Sequence, residues 1–212
     1  MGIGKIGVVG AGTMGNGIAQ ALAVAGRDVV MMDVGDAQVK RGLDTIGASL
    51  DRLIKKDKMS AADKAAAMAR ISTATSTSAL ADCDLVIEAA TEKVDLKLRI
   101  FAELDSVVKP EAILASNTSS ISITRLAAGT KRPSQVIGMH FFNPVPVMAL
   151  VELINGLQTS AATYAAVEEL AKSIGKSPIK VKNSPGFVVN RMLCPMINEA
   201  VFVLGEGLAT AA

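Results

Sequence analysis

His140 is the only histidine in the 212-residue sequence, and its side chain is the one best suited to proton transfer near neutral pH. It ends an apolar segment, Val136 to His140, and the proline-interrupted segment Phe141 to Pro146 follows it. A strand that ends in a histidine and then breaks into a loop presents an imidazole at the edge of a sheet, where it can act on a ligand. A lone histidine is nevertheless more often a structural residue whose hydrogen bonds are satisfied. The surrounding residues have to decide between these two interpretations.

A single acidic residue, Glu152, interrupts the apolar segment Leu150 to Ile154, which is typical of a strand. Burying a carboxylate is costly unless it is paired, so Glu152 needs a partner if the strand is internal. A neighbouring imidazole would serve, because the carboxylate would fix the tautomer of the ring and raise its basicity. If the strand lies at an edge, Glu152 points outward and needs no partner.

A glycine-rich motif near the N-terminus predicts a dinucleotide site. The pattern G-x-G-x-x-G is formed by Gly10, Gly12 and Gly15, between an apolar, β-branched segment and a helical one. The first glycine allows the tight turn, the second lets the backbone approach a pyrophosphate, and the third lets helix and strand pack closely. Asp33 ends the next predicted strand and can accept hydrogen bonds from the ribose hydroxyls of an adenosine. Its charge would repel a 2′-phosphate, so the sequence favours NAD over NADP.

Apolar segments alternate with helical ones along the chain, which predicts an α/β fold with a doubly wound, mostly parallel sheet of the Rossmann type. The predicted strands are residues 5–9, 27–33, 84–89, 112–116, 136–140 and 150–154. Residues 36–70 are too long for one crossover and predict an inserted helix pair, with Ser60 to Asp63 as the capping box of its second helix. Ligands of such folds bind beyond the carboxyl ends of the strands, so His140 and the segment Asn117 to Ser120 are expected on the ligand side.

We expect residues 1–184 to form this domain and residues 185–212 to begin an all-helical one. The last helix is predicted from Gly186 to about Leu204, with Ser184 as its cap and Pro185 as its first residue. Its apolar residues lie nearly all round the helix, so it should be buried on most sides by more protein than the sequence contains.

Composition and charge narrow the function further. The formal charge is +2 and basic tracts with interleaved aromatic residues are lacking, so no nucleic-acid partner is expected. Every stretch of about 18 residues contains charges or helix breakers, so no membrane span is expected. Cys83 and Cys194 lie in apolar surroundings without metal-ligand spacing. We expect both to be reduced core residues of a soluble, cytoplasmic protein without a metal site.

Four motifs together resemble those of the 3-hydroxyacyl-CoA dehydrogenases, most of all the short bacterial members that act on 3-hydroxybutyryl-CoA. The motifs are residues 10–15, 116–120, 138–148 and 183–191. The resemblance extends from the first strand to about Gly207 and implies NAD-dependent oxidation of an (S)-3-hydroxyacyl-CoA to the 3-ketoacyl-CoA, or the reverse. It also implies an acyl-CoA substrate, a homodimer, and a place in fatty acid or butyrate metabolism.

The resemblance assigns roles to the residues at matching positions. His140 matches the general base, Glu152 the acid paired with it, and Ser119 and Asn190 the residues that hydrogen-bond the substrate's oxygens. The residues assigned to the cofactor are Gly10, Gly12, Thr13, Met14, Gly15, Asp33, Glu92, Lys97, Ser119 and Asn143. The residues assigned to coenzyme A are Ser49, Lys56 and Ser119. A solvated, cationic helix end would explain the charges near Lys56 equally well from the sequence alone.

The family's chains normally continue into a helical domain that forms the dimer interface and closes over the substrate, and we expect this chain to lack most of it. Two functions therefore stay open: a dehydrogenase of short-chain 3-hydroxyacyl-CoA, and an NAD-binding domain without useful catalysis. A third, another β-hydroxyacid dehydrogenase on the same fold, is disfavoured by the histidine motif and the helix pair.

Overall fold

Eight strands form a single sheet in the computed structural model, which describes residues 2–211. In chain order the strands are β1 (Lys5–Val9), β2 (Asp28–Met32), β3 (Ile71–Ala74), β4 (Leu85–Glu88), β5 (Ile113–Ser116), β6 (Val136–Phe141), β7 (Leu150–Asn155) and β8 (Ser177–Lys182). Across the sheet they are ordered β3-β2-β1-β4-β5-β6-β7-β8, and every neighbouring pair is parallel except β6 and β7. The predicted mostly parallel sheet is confirmed.

Strands β3 and β8 are absent from the predicted set, and they are the two edges of the sheet. Each has only one neighbouring strand, and its side chains are largely half-buried or exposed. Polar and lysine residues are therefore tolerated there, and they keep a free edge from pairing with other chains. The same residues weaken the apolar pattern by which a strand is recognised.

Helices cover both faces of the sheet. They are α1 (Thr13–Val24), α2 (Asp36–Ile54), α3 (Ala61–Ala69), α4 (Val94–Val107), α5 (Ile123–Ala128), α6 (Ala161–Ser173) and α7 (Val189–Gly205). Successive side chains of a strand point to opposite faces, so Leu85 and Ile87 of β4 join the core under α1, α2, α3 and α6. Val86 between them joins the core under α4 and α5. The doubly wound arrangement is confirmed.

The inserted helix pair is α2 and α3. Ser60 caps α3 as predicted: its Oγ accepts from the Asp63 N–H at 3.0 Å, and the Asp63 carboxylate accepts from the Ser60 N–H at 3.3 Å. Lys64 and Asp51, 2.6 Å apart, join the two helices. Helix α2 also approaches the glycine motif closely, because a Cβ on Gly42 would lie 2.9 Å from the carbonyl oxygen of Ala11. The pair is thus fixed against the first crossover.

The last helix begins later than predicted. Gly186 and Phe187 have φ angles of 73° and 51°, in the left-handed region that a right-handed helix cannot contain. Ser184 and Pro185 therefore belong to a preceding turn, and α7 begins at Val189. The predicted cap at Ser184 and start at Pro185 are wrong.

The surface of α7 is open within residues 2–211. Its residues are half-buried or exposed, so the described residues do not supply the burial on most sides, and cover by further protein stays a prediction. Cys194 lies on this helix and is exposed, whereas Cys83 is buried under β4, so only one cysteine is a core residue. Besides Val188, which immediately precedes the helix, the large exposed apolar side chains here are Met192, Leu193, Met196, Ile197, Val201, Phe202 and Leu204.

Two further findings concern the class of protein. Among residues 2–211, none of the helices combines the length and the apolar character that crossing a membrane requires. The same residues contain no group of three or more His, Cys, Asp or Glu side chains that could hold a metal ion.

Candidate active site

A histidine and a carboxylate face each other across the antiparallel pair β6 and β7. The strand register places His140 opposite Glu152, and His140 Nδ1 lies 2.8 Å from Glu152 Oε2. The two residues are 4% and 0% exposed. Because β7 lies between β6 and β8, Glu152 is on an internal strand. The alternative of an outward-pointing acid on an edge strand is therefore wrong.

The other ring nitrogen of His140 faces the ligand side of the sheet. Its Nε2 lies 3.1 Å from the hydroxyl oxygen of Ser119, which is half-buried in the turn after β5. The rings of Phe142 and Phe187 pack against the imidazole with centroids at 4.7 and 5.7 Å. With its Nδ1–H donated to Glu152, the neutral ring presents Nε2 as a proton acceptor in a largely apolar setting.

The second oxygen of Glu152 holds the beginning of α7. Oε1 accepts hydrogen bonds from the backbone N–H groups of Val188 and Val189 at 2.9 and 3.0 Å. A negative charge is favourable at a helix N-terminus, where the first N–H groups lack partners within the helix. Asn190 is half-exposed in the same first turn. One carboxylate therefore fixes both the histidine ring and the helix that carries Asn190.

Glu92 organises the turn that carries Ser119. Its Oε1 accepts from Thr118 Oγ1 at 2.6 Å, from the Ser119 N–H at 2.9 Å and from the Ser120 N–H at 3.2 Å. Partial burial opposes ionisation of this carboxyl, but the hydrogen bonds from Thr118, Ser119 and Ser120 and the charge of Lys97 together outweigh burial and lower the pKa of Glu92 below its usual range. The carboxylate form, which is the one that accepts all these bonds, is thus favoured.

Lys97 is buried beneath this turn. Its side chain on α4 is 2% exposed, and its Nζ lies 2.8 and 2.6 Å from the two carboxylate oxygens of Glu88. Glu92 is also within reach, with Oε2 at 3.6 Å. Glu88, at the end of β4, is missing from the predicted site residues. The available signal was an acid closing an apolar strand shortly before a helical lysine.

The glycine motif has the shape expected of a phosphate cradle. Gly10 has a φ of 100°, and a Cβ there would lie 2.7 Å from the carbonyl oxygen of Ala89. A Cβ on Gly15 would overlap the carbonyl group of Gly10. A Cβ on Gly12 would meet no atom within 4 Å, and Gly12 precedes α1 without any side-chain cap. The open backbone at the start of α1 therefore fits an anionic group that approaches its free N–H groups.

Asp33 lies beside this cradle. Its Oδ2 accepts from the Ala11 N–H and its Oδ1 from the Val34 N–H, both at 2.7 Å. A carboxylate has further lone pairs, so the fixed Asp33 can still accept from two ribose hydroxyls. A cavity of about 570 Å³ opens next to it, lined by Gly10, Asp33, Leu96 and Ile100 among others. Cradle, acid and cavity together fit a bound dinucleotide.

The loop after β6 connects the histidine strand to the glycine motif. A Cβ on Gly17 of α1 would lie 2.9 Å from Val145, so loop and helix are in close contact. The buried Lys176 donates from Nζ to the carbonyl oxygens of Val145 and Met148 at 2.5 and 2.8 Å. Asn143 is exposed at the start of this loop.

The remaining predicted residues lie on helices. Thr13 is exposed and Met14 half-buried in the first turn of α1, beside the cradle. Ser49 is half-buried on α2, and Lys56 is exposed in the turn that follows α2. Within residues 2–211, the hydrogen bonds of the His140 cluster do not extend to Ser49 or Lys56. The structure thus brings His140, Glu152, Ser119, Glu92 and Lys97 together, and no described hydrogen bond joins the helix-pair residues to them.

Two protein-family profiles match this chain, one over the NAD-binding fold and one over the C-terminal segment. A family profile described as "3-hydroxyacyl-CoA dehydrogenase, NAD binding domain" matches residues 5–184. A second, described as "3-hydroxyacyl-CoA dehydrogenase, C-terminal domain", matches residues 186–212.

Several whole proteins are similar to this chain. It is 53% identical over 206 residues to the 3-hydroxybutyryl-CoA dehydrogenase of Bradyrhizobium diazoefficiens. The matched residues make up 97% of this chain and 70% of that relative. It is 48% identical over 206 residues to the 3-hydroxybutyryl-CoA dehydrogenase of Clostridioides difficile. That match spans 97% of this chain and 73% of the relative. The crystal structure of (S)-3-hydroxybutyryl-CoA dehydrogenase from Ralstonia eutropha matches with a TM-score of 0.96 and 66% identity, over 99% of this chain and 74% of that one.

Proposed function

The chain belongs to the 3-hydroxyacyl-CoA dehydrogenase family, with its NAD-binding domain at residues 5–184, and from this premise we propose that it interconverts (S)-3-hydroxybutyryl-CoA and acetoacetyl-CoA. The names of similar proteins support the four-carbon substrate. The observation that carries the proposal is the buried His140–Glu152 pair, with His140 Nε2 on the opposite side of the ring from Glu152, beside the Ser119 hydroxyl.

When bound, NAD would accept a hydride from C3 of the hydroxyacyl thioester, and NADH would return one to C3 in the reverse direction. Gly10, Gly12, Gly15 and the first turn of α1 would hold its pyrophosphate, and Asp33 its adenosine ribose. Thr13, Met14, Asn143 and Ser119 would add contacts from the cradle, the loop after β6 and the turn after β5. Glu92 would contact the nicotinamide side, with Lys97 behind it.

His140 handles the proton that accompanies each hydride. In oxidation its Nε2 takes the proton of the 3-hydroxyl group, and in reduction the imidazolium returns a proton to the 3-ketone. Glu152 stabilises the imidazolium and keeps Nδ1 occupied, so that Nε2 is the reactive nitrogen. Ser119 and Asn190 would hydrogen-bond the substrate's oxygens and orient C3. His140 thus carries the acid–base chemistry, Ser119 and Asn190 orient the substrate, and Glu152 orients the imidazole ring.

The coenzyme A part of the substrate would bind at the helix pair. Ser49 and Lys56 lie where α2 ends, and Arg52 and Lys55 are exposed beside them. These cations suit a phosphate-bearing group. Binding energy gained there, far from the reacting carbon, can position the thioester for reaction.

We also propose a division of the chain and a setting for it. Residues 1–184 would form the NAD-binding domain and residues 185–212 the first part of a helical domain, in a cytoplasmic homodimer. The two family matches support the boundary. The exposed apolar side chains of α7 support contact between that helix and further helical protein.

One assay tests the proposed reaction. Acetoacetyl-CoA is added to the 212-residue chain with NADH, and the absorbance of NADH is followed. Consumption of NADH that requires both the thioester and the protein supports the dehydrogenase. Tight binding of NADH without consumption would contradict it, and would support the alternative of an NAD-binding domain without useful catalysis.

A further inference from the structure

We propose that Glu88, buried at the end of β4, is a positioning residue for the Ser119 hydroxyl. It acts through two routes that meet in the turn after β5, one through Lys97 and Glu92 and one through Ser116. The inference rests on the proposed function, because the hydroxyl it positions is the one that faces His140.

The first route begins with a fully buried ion pair. Glu88 is 0% and Lys97 1% exposed, and both carboxylate oxygens contact the ammonium group at 2.8 and 2.6 Å. Glu88 Oε1 also accepts from the Ala90 N–H at 2.9 Å. Two-sided contact with a charged partner, together with a backbone bond, leaves the carboxylate a single orientation. Glu88 therefore fixes the position of the lysine charge.

The lysine charge in turn holds Glu92. The ammonium group lies 3.6 Å from Glu92 Oε2, whereas the Glu92 side chain is 46% exposed. The hydrogen bonds of the turn hold only Oε1 of this half-exposed carboxylate, and Oε2 has the ammonium group of Lys97 beneath it. A lysine charge fixed by Glu88 therefore adds a second point of attachment for Glu92. Glu92 then presents Oε1 to the N–H groups of Ser119 and Ser120 and to the Thr118 hydroxyl.

The second route runs through the end of β5. The Ser116 hydroxyl donates to Glu88 Oε2 at 2.8 Å and accepts from the Thr118 N–H at 3.2 Å. Glu88 is thus linked to the start of the turn by Ser116 and to its middle by Glu92. The turn is held at both points, and Ser119 Oγ lies 3.1 Å from His140 Nε2. A change in Glu88 should move the hydroxyl without touching any group that meets the substrate.

A second buried ion pair provides a control for the general destabilisation that follows when a buried cation loses its counter-ion. Arg132 Nε lies 2.6 Å from Asp105 Oδ1, with the side chains 10% and 7% exposed. The Arg132 guanidinium also donates to the carbonyl oxygens of Lys109 and Asp105, at the end of α4 away from Ser119. Neutralising either acid leaves a buried cation without its counter-ion, which destabilises a fold. Only Glu88 leads to the Ser119 turn.

The test compares Glu88→Gln with Asp105→Asn in the 212-residue chain. The amide proton signals of Ser119 and Ser120 are measured by NMR, and kcat for acetoacetyl-CoA reduction is measured well below both melting temperatures. Both variants should melt earlier than the parent. Only Glu88→Gln should move the two amide signals toward the range of weaker hydrogen bonds, with kcat about tenfold lower, since small misplacements of a reacting group have effects of this size or larger.

Other results would overturn the proposal. Unmoved Ser119 and Ser120 signals in Glu88→Gln would do so, as would a kcat within twofold of the parent or an equal loss of kcat in Asp105→Asn. If Glu88→Gln does not fold, Glu88→Asp takes its place; it keeps the charge but withdraws the carboxylate by one methylene group. If the parent chain does not reduce acetoacetyl-CoA, the proposed function fails, and the amide signals still decide the role of Glu88.

Discussion

The glycine motif after β1 and the histidine cluster on β6 both lie toward the carboxyl ends of the parallel strands, but they are built in different ways. The first is made of backbone: three glycines, a helix N-terminus and one acid, all between the end of β1 and the residue after β2. The second is made of charged and polar side chains drawn from β4, β5, β6, β7 and α4. A backbone site is damaged by added atoms, and a side-chain site by the loss of a charge or a hydrogen bond.

The largest effect is expected from His140→Gln, which removes the proposed proton acceptor but leaves the glycine motif intact. We expect kcat for acetoacetyl-CoA reduction to fall by about a hundredfold or more, since general acid–base catalysis contributes at least that much. The Kd for NADH, measured by fluorescence titration, should stay unchanged. Turnover equal to that of the parent would remove His140 from the mechanism.

Glu152→Gln should reduce both turnover and stability, because the carboxylate serves both the ring and α7. The new amide group cannot accept from the Val188 and Val189 N–H groups while its oxygen faces His140. We expect kcat to fall by tens of fold on the general scale of such catalysis. The free energy of unfolding should fall by about 1–3 kcal/mol from the unsatisfied donors. Urea denaturation checks the second value, and an unchanged midpoint would contradict the double role.

A pair of glycine variants separates packing from binding in the first region. Gly15→Ala introduces a Cβ into the Gly10 carbonyl group, so helix or strand must shift, and overpacking of this kind destabilises by about 1–3 kcal/mol. Gly12→Ala meets no atom, so its free energy of unfolding should change by about 1 kcal/mol or less, while its affinity for NADH falls. Thermal melts and NADH titrations of both variants test this. Equal melting temperatures for the two would contradict the distinction.

The smallest effect is a pH dependence that comes from Glu92. Its folded-state pKa is lowered from an ordinary value of 4.5, so its ionised form stabilises the fold above that value. This stability is lost as the pH falls through the folded-state pKa. Because the side chain is 46% exposed, solvent screening keeps the contribution small. Glu92→Gln should therefore lose less stability than the parent as the pH falls from about 5 to about 3 in urea denaturation. An unchanged acid slope would contradict this.

The two regions also differ in how far the sequence predicts them. The glycine motif is local, and the roles of Gly10, Gly12 and Gly15 follow from the backbone each position requires. The contact of His140 with Glu152 follows from the cost of an unpaired buried acid only if β7 is an internal strand. That position is set by β8, a lysine-bearing edge strand that the apolar pattern does not reveal.

Other features depend on contacts that are distant in the sequence. Ser184 and Pro185 have the types that begin a helix, but Phe187 takes a left-handed conformation and is buried against the His140 ring. Tertiary packing there overrides a local signal. Glu88 also depends on distant contacts. An acid at the end of an apolar strand is expected to be exposed to solvent, and its contacts with Lys97 and Ser116 make its burial favourable.

The shared carboxylate of Glu152 couples the charge state of the His140 imidazole to the docking of α7. The charge state of the imidazole and the docking of α7 both draw on the same pair of oxygens, so a change in either alters how strongly the carboxylate holds the other. Thermodynamic linkage requires this influence to be equal in both directions. Through Glu152, the position of the first turn of α7 is therefore coupled to the proposed proton transfer at His140.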